Sequence, residues 1–77
     1  MIPAGWTYHG GGLWGWMSPE RVVTVSVHVY ADGRVSPPAV IGTGSFAMAA
    51  QGLRQACRAM EELLDYVARR MEWEAAR

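Results

Sequence analysis

Between Ser45 and Trp73 the chain carries an apolar period that one kind of secondary structure satisfies. Phe46, Ala50, Leu53, Cys57, Met60, Leu64, Val67 and Met71 follow one another at alternating steps of four and three. An α-helix returns to the same face every 3–4 residues, so this run predicts one long C-terminal helix over 45–73. In heptad terms Ala50, Cys57, Leu64 and Met71 fill one column of the seam, and Phe46, Leu53, Met60 and Val67 fill the other. Two neighbouring columns are also largely apolar: Ala49, Ala56, Leu63 and Arg70, then Gly52, Ala59, Tyr66 and Trp73. This arc is wider than a two-stranded coiled-coil seam and suits a broad surface such as a sheet. Leu63, Tyr66 and Trp73 lie on its flank, beyond what one sheet face is expected to cover.

The opposite arc holds Gln51, Arg54, Gln55, Arg58, Glu61, Glu62, Asp65, Arg69 and Glu72. Arg58 with Glu62 and Asp65 with Arg69 are spaced for helical ion pairs, each worth roughly 0.2–0.5 kcal/mol. Ser45 is the expected N-cap, with Thr43 as competitor, because a hydroxyl there accepts an orphan backbone N–H. Gly52 weakens the helix by about 1 kcal/mol relative to alanine, which suggests that close packing requires it.

The sequence ahead of the helix alternates as strands do. Trp6, Tyr8, Trp14 and Trp16 flank Gly10-Gly11-Gly12, so residues 4–18 read as an aromatic hairpin or, alternatively, a glycine-rich arm. From Arg21 to Tyr30 valines occupy alternate positions at 23, 25, 27 and 29, against Val22, Thr24, Ser26, His28 and Tyr30 on the other face. The valine face is expected beneath the helix and the other face half-solvated. Asp32-Gly33 tolerates positive φ and predicts a hairpin turn over 21–41. Pro37-Pro38 cannot donate ladder hydrogen bonds, so the returning strand is an edge or is broken there. The expected architecture is a single α+β domain, 1–77, with one or two antiparallel hairpins packed against the long helix.

A chain of 77 residues has a small core and gains no disulfide from its single cysteine, Cys57. On the apolar face that thiol is expected to be buried and inert. Arginine supplies every formal basic charge, and the net charge is zero. Nucleic-acid binders usually show a basic excess, so a neutral chain argues against that class. No apolar run is long enough to span a membrane, and the first residues lack the pattern of a signal peptide, so a cytoplasmic location is expected. The alanine, glycine and arginine bias is associated with high-GC genomes of bacteria, their viruses and mobile elements.

No catalytic signature stands out. The glycine triplet is not followed by the lysine and hydroxyl of a phosphate-binding loop. His9, His28 and Cys57 show no metal-ligand spacing, and Glu61, Glu62 and Asp65 alternate with arginines on the solvent arc. A Cys57–His28 nucleophilic pair requires that strand and helix oppose the two. The chain is therefore expected not to be an enzyme and to carry neither cofactor nor metal.

The run Val-Thr-Val-Ser-Val-His-Val-Tyr-Ala-Asp-Gly-Arg-Val-Ser-Pro-Pro-Ala-Val, then Gly44, Phe46, Ala49-Ala50 and Leu53, resembles the hairpin-plus-helix half of TonB C-terminal domains. The resemblance covers roughly residues 22–57 and implies a hairpin followed by a packed helix. The membrane anchor, proline-rich spacer and closing strand of those proteins have no counterpart here, and their function is not carried over.

Four tryptophans are many for so short a chain. Large rings extend a small core, and they also concentrate at interface hot spots. The sequence reading is a small protein-interaction module, an inhibitor or adaptor that occludes a surface of a larger host protein or complex. Phage or mobile-element anti-defence proteins, including anti-CRISPR proteins, are the class associated with such a chain, and a homodimer is an open alternative for part of the surface. The expected contact residues are Trp14, Trp16, Tyr30, Tyr66 and Trp73. The alternative is a single-stranded nucleic-acid binder that stacks bases on Tyr8, Trp14, Trp16 and Tyr30, with Arg21 and Arg34 on phosphates.

Overall fold

The computed structural model describes residues 1–75, with side chains as far as Met71. Its sheet begins where aromatic alternation meets glycine. Strands β1 (Trp6–Gly10) and β2 (Leu13–Met17) pair antiparallel, with Trp6 opposite Trp16 and Tyr8 opposite Trp14. Gly10, Gly11 and Gly12 all adopt positive φ, between 60° and 90°, a backbone that side chains disfavour. The hairpin reading of residues 4–18 is the correct one.

A tight turn then feeds the next strand. The buried Ser18 hydroxyl accepts hydrogen bonds from Val22 N and Val23 N, both at 3.1 Å, while Arg21 N donates to Ser18 O at 2.9 Å. Arg21 sits at φ 60°, in the left-handed region. This irregularity turns both Val22 and Val23 into the core, which simple alternation does not anticipate. Strand β3 (Val23–His28) pairs with β2 on one side and with β4 (Ala39–Gly42) on the other.

Between β3 and β4 the Asp32-Gly33 turn closes through Tyr30 N to Arg34 O at 2.8 Å and Gly33 N to Tyr30 O at 3.0 Å. Pro37-Pro38 breaks the return, leaving an isolated bridge between Val29 and Val35 before β4 resumes at the sheet edge. The two hairpins form one four-stranded antiparallel sheet in the order β1-β2-β3-β4. With the single helix α1 (Phe46–Ala75) against one face, this is an α+β fold.

Ser45 caps that helix. Its hydroxyl accepts from Met48 N at 3.2 Å, and its carbonyl accepts from Ala49 N at 2.9 Å. Thr43 instead ties the entry loop to β3 by donating to Val22 O.

The helix is rotated from the orientation its seam suggests. The side chains seated on the sheet come from the two flanking columns: Ala56, Ala59 and Leu63 are buried with Gly52, and Tyr66 is half-buried against them. Of the seam columns, Met60 and Val67 still touch the core, but the rest turns outward, with Phe46 97% exposed, Leu53 46% and Leu64 39%. Cys57 is exposed with them, not buried. The reason is steric. The inner sheet face presents Trp6, Trp14 and Trp16 with Val23, Val25 and Val27, and such bulk needs a small-residue surface opposite it. A methyl built on Gly52 would lie 3.1 Å from Val23 Cβ and would collide with Val23 Cγ2. Trp6 completes the seat by donating its indole N–H to Ala59 O at 2.9 Å.

Candidate functional site

The same rotation carries the C-terminal half of the helix over the glycine-turn end of the first hairpin. There Tyr8 and Trp14, held opposite one another on β1 and β2, bring their rings to 4.8 Å between centroids. Trp14 meets Tyr66 of α1 edge to face at 6.0 Å, an arrangement the ring quadrupoles favour. Tyr8 is held in place by its hydroxyl, which accepts from Gly12 N at 3.0 Å, so the glycine turn anchors the ring.

These rings form the wall of a cleft of about 600 Å³, a volume within the usual range for binding sites. Tyr30 and Val29 line it from the end of β3, Val67, Arg70 and Met71 from the helix, and Ile2 from the N-terminal segment. The Arg70 guanidinium lies 5.8 Å from the Tyr66 ring centroid and donates to the Tyr66 hydroxyl at 3.2 Å. Tyr30 stacks on His28 at 4.4 Å with planes only 7° apart, and Arg34 lies 5.1 Å from its centroid. Arg34 is in turn held by Asp32, Nε donating to Oδ2 at 2.7 Å. The cleft thus joins apolar ring faces to phenolic hydroxyls and one cation.

Three expected contact residues, Trp14, Tyr30 and Tyr66, therefore converge on one cleft although they come from three elements. Trp14 contributes as a buried wall, and Tyr30 is exposed at the rim. Trp16 is separate. It is buried near the other end of the sheet, 6.5 Å from Trp6, beside a shallower depression that Gln55, Arg58 and Glu62 also line. The side chain of Trp73 lies outside the described residues. Tyr8, Arg70 and Met71 were missed as cleft residues, and only the Tyr8–Trp14 cross-strand pairing could have pointed to one of them.

Other expectations resolve differently. By strand alternation His28 faces away from the helix and Cys57 away from the sheet, so they form no pair. Among the described residues the only ion pair is Asp32–Arg34, and neither Arg58–Glu62 nor Asp65–Arg69 closes. Among the described residues no three His, Cys, Asp or Glu side chains converge as a metal site would require. No helix there is long and apolar enough to cross a membrane. Comparison with family models, curated proteins and solved structures found no match to this chain, so the TonB-like run of residues 22–57 assigns it to no family.

Proposed function

We propose that this chain is a small protein-interaction module that binds a larger protein by receiving part of it in the aromatic cleft. The observation that supports this is the convergence of Tyr8, Trp14, Tyr30 and Tyr66 on one solvent-open cavity beside Arg70. Tyrosine, tryptophan and arginine are the residue types that carry most binding energy at protein interfaces. The ring walls suit an apolar side chain. The phenols and Arg70 suit the carbonyl or carboxylate oxygens of the segment bearing it. Inhibition or adaptation by occlusion is the mode of action such a surface allows. The anti-CRISPR setting rests on composition alone.

The base-stacking alternative draws less support. Of its four rings only Tyr8 and Tyr30 are exposed; Trp14 and Trp16 are both less than a tenth exposed and offer little ring face to a strand of bases. Tagged protein used as bait in lysate tests the two readings together. Tyr30→Ala and Arg70→Ala should each abolish retention of a protein partner while leaving the circular dichroism spectrum unchanged. Retention of the same protein by both variants would refute the cleft as its site. Salt-sensitive retention of an oligonucleotide would favour the second reading.

A further inference from the structure

The seam of α1 raises a separate question, because the sheet covers only its near edge: Met60 and Val67 pack against the core, while Phe46, Leu53, Cys57, Leu64 and Met71 stay exposed. Helix packing on a sheet explains Gly52, Ala56, Ala59 and Leu63. It accounts for Met60 and Val67 but not for the exposed Phe46, Leu53, Cys57, Leu64 and Met71, which with them and Ala50 keep a strict four-three spacing without one polar interruption. That spacing matches a second helix lying along the first, whereas a globular surface imposes no such register. The stripe runs about 38 Å along the helix, and Phe46, Leu53, Leu64 and Met71 all remain at least 37% exposed on it. Val40 of β4 is also exposed, on the sheet face that carries its register partner Val25 and the helix.

We infer that this stripe is covered by the same helix of a second copy of the chain, running antiparallel. Charge placement selects both the occupant and its direction. Of the two positions flanking a seam, one faces the sheet and carries Ala49, Ala56 and Leu63, with Arg70 beyond them at the cleft. The other, on the open side, carries Ala47, Arg54, Glu61 and Ala68, all exposed. In an antiparallel pair this open flank meets its own counterpart, so Arg54 faces Glu61 of the second copy, Glu61 faces Arg54, and the alanines face each other. In that same register every seam residue finds an apolar partner: Phe46 with Met71, Ala50 with Val67, Leu53 with Leu64, Cys57 with Met60. A parallel pair would instead set Arg54 and Glu61 against Ala49 and Ala56 of the other flank, which offer no charge. One copy thus contains the whole complement of the other, as a two-fold interface demands. The interface would also bring Phe46 of the second copy to Met71, at the rim of the aromatic cleft.

Sedimentation equilibrium of the full chain at 1–100 μM tests this, with an 8.5 kDa monomer as the reference mass. The expected result is a dimer. Leu64→Glu should return it to monomer with an unchanged circular dichroism spectrum. Glu61→Arg should raise the dissociation constant about tenfold, and the swap Arg54→Glu with Glu61→Arg should restore it. Direction is read by mild oxidation. Met60→Cys should give a covalent dimer through Cys57, whereas the wild type should not, because the two Cys57 residues are offset along an antiparallel pair. A monomer at every concentration would overturn the inference and leave the stripe to a foreign helix. So would a dimer that survives Leu64→Glu, which would place the contact at another surface such as the β4 edge. Ready wild-type cross-linking through Cys57 would overturn the antiparallel direction.

Discussion

Replacing Gly52 by alanine sets two effects of known sign against each other. In an exposed helix interior the change gains about 1 kcal/mol, because glycine loses more backbone freedom and alanine is the best helix former. At Gly52 the added methyl would meet Val23, whose Cβ lies 3.1 Å from the built position and whose Cγ2 lies closer still. Val23 is fully buried, sits mid-sheet between β2 and β4, and is β-branched, so it has no spare rotamer to adopt. Relief requires the helix to lift from the sheet, and overpacking of this kind costs typically about 1–3 kcal/mol. That lift would also stretch the Trp6–Ala59 hydrogen bond, about two turns along the same face of the helix. The expected net effect is destabilisation of up to about 2 kcal/mol, which lowers the melting temperature by up to roughly 16 °C in a chain of this size. Urea unfolding followed by tryptophan fluorescence measures it at a fixed low protein concentration. Val23→Ala in the same background should recover part of the loss, with a coupling of about 1 kcal/mol or more. A Gly52→Ala protein that is more stable than wild type, with no coupling to Val23, would refute the seating of the helix on β3.

Ser18→Ala removes the acceptor for two backbone N–H groups in a buried turn, and should destabilise by about 2–3 kcal/mol in the same assay. Trp6→Phe loses the indole hydrogen bond to Ala59 O and some ring volume, for an expected loss of about 1–3 kcal/mol. Asp32→Asn breaks only the exposed pair with Arg34, so its melting temperature should stay within about 0.5 kcal/mol equivalent of wild type. Tyr8→Phe frees Gly12 N to solvent and should leave stability nearly unchanged, but it should weaken binding of any partner that contacts the phenols of the cleft.

The element types follow from local patterns because each rests on contacts close in sequence. The four-three period compels a helix from Phe46 onward, Ser45 caps it, valine alternation makes β3, and Gly10-Gly11-Gly12 with Asp32-Gly33 supply the turns. Which face of the helix meets the sheet is not local. Two adjacent arcs were apolar, and the larger, more regular one pointed to the seam. The sheet's three indoles and its valines decided otherwise, because that bulk is matched by the face on which Gly52, Ala56 and Ala59 let the helix come close and Leu63 fills the space beyond them. That one rotation buried Leu63, exposed Cys57 and Phe46, and gathered Trp14, Tyr30 and Tyr66 into a single cleft. Sequence alone determined what the elements are. Tertiary packing decided which surfaces remain open to other molecules, since complementarity of volume between layers is a property of no single segment.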